Sequence, residues 1–356
     1  MKRKLLVAVP LLCVVGLLAW YFRPKHETLG EAYVSERSVT LWSSVAQVRE
    51  QLGVLLYGDH VDVLSRRNEN VKVRTASGVV GWVDGRYLME PQLWQRSAKI
   101  LKQAEGIPVQ ARGRTKVPTN LRVGPGRTEP RLYQFTRNTP VEVVGRAVAD
   151  WVQVSDEKDS DEEPVETKKE DWFLVLATAT RPPGEGVVRN SAITTTTQPG
   201  DQTIPIAGWV VARFVALDLP DAVIQETESA NIRPMAWFEL NRVTDDQGDH
   251  PQYLVAGAKG PEGSACDFTT LRVYTWNTRR SRYETAFIDN NLCGAFPIRT
   301  AKDAKGQPEF LFHTKGDYEE RTYRLIQTVV RRVKEEKPVG ARPSEKSKGN
   351  PTPATK

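Results

Sequence analysis

The sequence predicts a mostly β chain: an N-terminal transmembrane helix, two small β modules of one design, and a C-terminal β unit. Three observations lead there. Short alternating apolar runs, broken by Gly, Pro and Asn turns, fill residues 31–333. One order of motifs occurs twice. An uncharged apolar run follows a basic cluster at the N-terminus. With 356 residues, 25 Gly and 23 Pro, the chain is too long for one small core and leans toward turn-rich β structure.

The N-terminal element comes first. Lys2, Arg3 and Lys4 precede a run from Leu5 to Phe22, which Arg23, Pro24 and Lys25 end. As a helix the run spans roughly 27 Å, close to the hydrocarbon thickness of a bilayer. It closes on Trp20, Tyr21 and Phe22, bulky where a signal peptidase needs small residues and suited to a membrane interface. Leu12 precedes Cys13 where a lipidation motif wants a small residue. Residues 1–25 are therefore read as an uncleaved anchor in the cytoplasmic (inner) membrane. The bulk of the chain then lies on the periplasmic, extracytoplasmic side. Beyond Cys13 only Cys266 and Cys293 remain, and two cysteines in one small exported unit predict a disulfide.

Residues 31–90 hold the first module. Val61-Asp62-Val63 follows a Gly58 turn, Asn70 to Arg74 alternates strictly, and Gly81-Trp82-Val83 leads into Tyr87-Leu88. The order returns in residues 115–217. There Leu121-Arg122 meets the Gly124-Pro125 turn, Pro140 to Val144 and Asp171 to Val175 read as strands, and Gly208-Trp209-Val210 closes the unit. This order resembles bacterial SH3-type (SH3b) domains, which implies two SH3-like β-barrels. The first copy departs from the pattern at Val39 to Ser43, where no Pro turn follows. In the second, Ser155 to Asp171 is almost wholly charged and Ala177 to Pro205 is rich in Thr, Pro and Gly; both are expected to be loops.

The remaining segments follow in order. Residues 91–114 are a linker with a helix, from the spacing of Leu93, Ile100 and Leu101. A second helix is expected over Asp221–Ser229, with Asp221 as its N-cap. Residues 218–333 carry five strand-like runs around Tyr253, Val273, Tyr283, Phe310 and Tyr323, giving a β-sandwich or meander. The tail from 334 to 356 has almost nothing apolar and is expected to be disordered.

Chemistry is sparse. His26, His60, His250 and His313 are scattered, so no metal site and no cofactor are expected. His250 beside Asp245, Asp246 and Asp249 reads as a solvated turn. The net charge of +6 comes without a basic stripe interleaved with aromatics, which argues against a nucleic-acid partner. SH3b domains often accompany cell-wall peptidases, and a Cys nucleophile with His313 as base is conceivable at Ser264-Ala265-Cys266. The segment after Cys266 reads as a strand, however, where such enzymes need a helix. Catalysis is therefore set aside, and the chain is read as a non-enzyme.

The resemblance implies non-catalytic, membrane-anchored recognition of the cell envelope, with peptidoglycan peptides as ligand. The alternatives are an envelope scaffold or sensor that binds another protein and, behind it, a Cys-dependent wall hydrolase. Trp82 and Trp209, with Gly81 and Gly208, are expected to be structural, their indoles in the barrel cores. Candidate ligand contacts are Asp84, Arg86 and Tyr87 in the first copy, Arg213 in the second, and the extra aromatics Trp42 and Trp172.

Overall fold

A computed structural model of the chain describes residues 28–152, 167–181, 202–316 and 318–333. The expected anchor, the C-terminal tail and the greater part of both insertions lie outside the described residues. No helix among the described residues is long and apolar enough to cross a membrane.

The chain is mostly β. The first module consists of β1 (Gly30–Val34), β2 (Ser38–Trp42), β3 (Gln51–Leu56), β4 (His60–Arg67), β5 (Asn70–Thr75), β6 (Val80–Asp84), a 3-10 turn (Gly85–Tyr87) and β7 (Leu88–Met89). Its antiparallel sheet has the order β3-β2-β6-β5-β4-β1-β7. The second has β8 (Ala111–Thr115), β9 (Thr119–Arg122), β10 (Arg131–Phe135), β11 (Pro140–Val152), β12 (Thr167–Arg181), β13 (Gln202–Val211), a 3-10 turn (Ala212–Phe214) and β14 (Val215–Leu217). Its order, β10-β9-β13-β12-β11-β8-β14, repeats the first place for place.

Period-two alternation decides which side chains enter each core. Val61, Val63, Val71, Val73 and Val83 are buried together in the first module. In β6 that alternation sends Gly81 and Val83 inward and Trp82 outward. The expectation that both motif tryptophans fill a core is corrected, since Trp82 and Trp209 are each only half-buried. The glycines before them carry the structural role. A Cβ on Gly81 would sit 2.7 Å from Leu41 Cγ, and one on Gly208 would sit 2.7 Å from the Arg122 carbonyl oxygen.

Helix α1 (Pro91–Glu105) joins the modules, with Pro91 at its first turn, where the missing N–H costs nothing. Trp94 stacks on Tyr33 with ring centroids 4.8 Å apart. Around that pair one core runs from Tyr57 and Met89 of the first module to Leu121 and Phe135 of the second. Helix α2 (Asp221–Ser229) spans the expected residues, but Pro220 is its N-cap and Asp221 lies in the first turn.

The third unit is a seven-stranded antiparallel meander, not a sandwich. It runs β15 (Arg233–Asp245), β16 (Gly248–Ala258), β17 (Phe268–Asn277), β18 (Arg282–Lys302), β19 (Pro308–Thr314), β20 (Glu320–Ile326) and β21 (Val329–Val333). Phe268, Leu271, Ile298, Phe310 and Phe312 fill its core. The expected disulfide is present and ties Cys266, just before β17, to Cys293 on β18. The loop forecasts are corrected at their ends: β12 begins at Thr167 and β13 at Gln202. Glu170 and Asp171, at the end of the charged run, are buried strand residues.

Candidate functional site

The outward face of β2 and β6 borders a polar groove of about 660 Å³ between the first two modules. Trp42 of β2, Asp84 of β6 and Tyr87 of the 3-10 turn line it, and Arg131 and Gln134 of β10 face them from the second module. Trp42 stands directly opposite Trp82 in the ladder. The Ser43–Glu50 segment arches over this end. Its base is closed by Ser43 N–H donating to the Glu50 carbonyl (2.9 Å) and Glu50 N–H donating to Ser43 Oγ (3.0 Å).

The groove's charges are unequally partnered. Glu36 meets Arg131 at 2.7 Å across the module boundary. Asp84 caps the 3-10 turn by accepting from Arg86 N–H at 2.9 Å, and takes the Arg86 guanidinium at 2.6 Å. The Arg86 hydrogen bonds, partly opposed by desolvation, hold the Asp84 carboxyl below its usual range. Arg49 is different. Its guanidinium lies 4.2 Å above the Trp42 ring and makes no ion pair among the described residues. A cation spread over an indole and open to water is a ready receptor for an anion.

Of the six residues expected to contact a ligand, Trp42, Asp84 and Tyr87 converge on this groove, with Arg86 beside them. Trp172 is corrected: it is 1% exposed and cannot stack on a ligand. Arg213 occupies the place of Arg86 in the second 3-10 turn, but it faces the third unit. It donates to Glu170 and, at 3.2 Å, to Glu262. Sequence reasoning missed Arg49, Glu36 and Arg131, because loop residues carry no periodicity and the β10 contribution depends on how the modules dock.

The second and third units meet over a buried polar network. Arg146, 1% exposed, donates to Asp171 at 2.5 Å, to Asp267 at 3.2 Å, and to the Ser264 and Cys266 carbonyls at 2.8 and 2.9 Å. Asp171 also accepts from Arg233 at 3.0 Å and from Gly263 N–H at 2.9 Å. Glu170 takes Arg127 at 2.7 Å together with Arg213. Burial works to raise the Glu170 carboxyl, but the Arg127 and Arg213 hydrogen bonds prevail and hold it low.

Among the described residues no group of three or more His, Cys, Asp or Glu is placed to hold a metal. His250 is part of a packed hairpin rather than a solvated turn. Its ring stacks on Trp276 at 3.8 Å, and both rings bond Asp245. Cys266, the nucleophile of the hydrolase reading, is tied up in the disulfide and is followed by β17. His313 pairs with Glu320 at 3.5 Å.

No family model matches the chain, and no curated protein matches it. Solved structures do. An NlpC/P60 family protein from Bacillus cereus ATCC 10987 is 10% identical at a TM-score of 0.21, over 73% of this chain and 94% of that one. NlpC2 from Trichomonas vaginalis is 8% identical at a TM-score of 0.16, over 82% and 91%. NlpC1 from the same organism is 9% identical at 0.18, over 84% and 89%. All three neighbours are named as NlpC proteins, a setting in which catalysis was set aside too early, so the reading as a non-catalytic peptidoglycan-binding protein and the assignment as a non-enzyme are not carried forward. Likeness at this level carries neither a fold nor a reaction across, so this chain's chemistry rests on its own side chains.

Proposed function

We propose that the first two modules are SH3-type units and that the groove between them binds an extended acidic peptide segment. The shared strand order and the 3-10 turn before each last strand support the SH3-type reading. The observation that carries the ligand class is the Trp42–Arg49 pair. With Glu36 held by Arg131 and Asp84 by Arg86, Arg49 is the groove cation left to meet a carboxylate. Trp42 gives a flat apolar floor, while Ser38, Asn70 and Gln134 offer donors and acceptors for peptide backbone.

The test is tryptophan fluorescence titration of the full chain with N-acetyl-Ala-Glu-Ala and with its uncharged counterpart, N-acetyl-Ala-Gln-Ala-amide. Saturable binding of the first, weakened about tenfold or more by Trp42→Ala and by Arg49→Ala, is expected. Equal response to both peptides, or indifference to Arg49→Ala, sinks the proposal. Chromatography of the same mixtures reads separately whether binding leads on to bond cleavage.

A further inference from the structure

A second cavity, of about 330 Å³, opens where the second module meets the meander. Both of its walls are interruptions in strand ladders. The register of β11 slips between Val143 and Gly145, and that of β18 slips between Ala295 and Arg299. Such irregularities re-aim side chains away from the regular pleat. Here they leave a space instead of a closed sheet contact.

The walls are fixed before any ligand arrives. Gln110, fully buried, donates to the Ile298 carbonyl at 3.1 Å and accepts from Ile298 N–H at 2.8 Å. That pair pins the Phe296-Pro297 segment. At the base, Asp267 takes Lys315 at 2.8 Å and Phe296 N–H at 2.9 Å, besides Arg146. The charges at the base are thus matched from within the protein.

Two features remain unmatched. Trp209, the motif tryptophan that alternation turns outward, lines the cavity half-buried beside Leu174, Phe296 and Pro297. Arg299, also in the lining, is exposed and makes no ion pair among the described residues. We propose that this cavity binds a small ring-bearing carboxylate, its ring against Trp209, Phe296 and Pro297 and its charge at Arg299. The volume lies at the small end of ligand pockets, the ring surfaces supply an apolar body, and the one unmatched cation selects an anion.

The experiment follows the indole Nε1–H resonance of Trp209 in the full oxidised chain, assigned by its disappearance in Trp209→Phe. Benzoate is the probe and benzyl alcohol its uncharged counterpart. Saturable movement of the Trp209 resonance with benzoate is expected, with benzyl alcohol binding at least about fivefold more weakly. Arg299→Ala, at an exposed position, should erase that preference while leaving the benzyl alcohol titration unchanged. A Trp209 resonance that stays still at millimolar benzoate overturns the proposal. So does an equal response to both probes, or a preference for benzoate that survives Arg299→Ala.

Discussion

The first and second modules share a strand order but spend the same face differently. In the first, Trp42 and Trp82 oppose each other at the open end of a groove, and Asn70 and Asp84 follow in the neighbouring ladder. In the second, the matching places hold Arg122 and Trp209, then Trp172 and Val211. Trp172 and Val211 are buried, and Arg122 donates to the Glu129 carbonyl at 2.5 Å. The turn arginines diverge in the same sense. Arg86 folds back onto its own cap, while Arg213 reaches Glu170 and Glu262. One backbone plan thus leaves an open polar groove on one copy and buries the matching places of the other against the third unit, and a few substitutions on one face decide which.

The strongest way to break this comparison is at the arginines. Truncating Arg146 leaves Asp171 and Asp267, both buried, short of a donor. Removing one member of a buried ion pair costs about 3–5 kcal/mol when the remaining charge is left unpaired, and with Arg233 still on Asp171 and Lys315 still on Asp267 the loss falls at the lower end. Arg146→Ala should therefore lower the denaturant midpoint steeply. Arg86→Ala, at a side chain 67% exposed, should leave that midpoint close to the unaltered chain's. Equal effects from the two variants would mean that the second module's face is not dedicated to assembly.

The asymmetry was only partly legible in sequence. Gly81-Trp82-Val83 and Gly208-Trp209-Val210 announce the repeated design, and alternation alone places the glycine and valine inside. Expecting the indoles inside instead let a family habit override the period. The charged run before Asp171 hid a strand, because the partners that make Glu170 and Asp171 tolerable when buried are far off in sequence. Arg127, Arg146, Arg213 and Arg233 reach them only after folding. Strand β15 was overlooked although Met235-Ala236-Trp237-Phe238 marks it as an apolar run, whereas β21, with two arginines among three half-exposed or exposed valines, carries no such mark. The disulfide was legible because only two cysteines lie beyond the N-terminal run.

A second test sharpens what the modules share. A Cβ on Gly81 meets Leu41 Cγ at 2.7 Å and the Trp42 carbonyl at 2.8 Å. A Cβ on Gly208 meets the Arg122 carbonyl at 2.7 Å and Leu121 Cγ at 2.8 Å. In each case backbone is among the obstructing atoms, so relaxation is costly. Gly81→Ala and Gly208→Ala should each destabilise by about 1–3 kcal/mol, as overpacking does, and by similar amounts. A clear difference between them in chemical denaturation would show that the common sheet geometry is not held equally in both copies.

The smallest expected effect concerns two carboxylates, one on each module's face. Asp84 and Glu170 both have folded values below the ordinary carboxylate values of 3.8 and 4.5. A depressed value means that each contributes stability present in full above the ordinary range. That contribution is lost as pH falls through the folded value, so acid weakens both. Their surroundings predict different responses to salt. The Asp84–Arg86 pair is open to water, where screening at about 1 M salt shortens the Debye length to roughly 3 Å. Its carboxyl should drift back toward 3.8 in a carbon-detected NMR titration at high salt. Glu170, 3% exposed between Arg127 and Arg213, is screened far less by salt and should keep its low value. If both carboxyls recover alike, the second module's face is reached by solvent, and the division of labour between the two copies fails at its most local point.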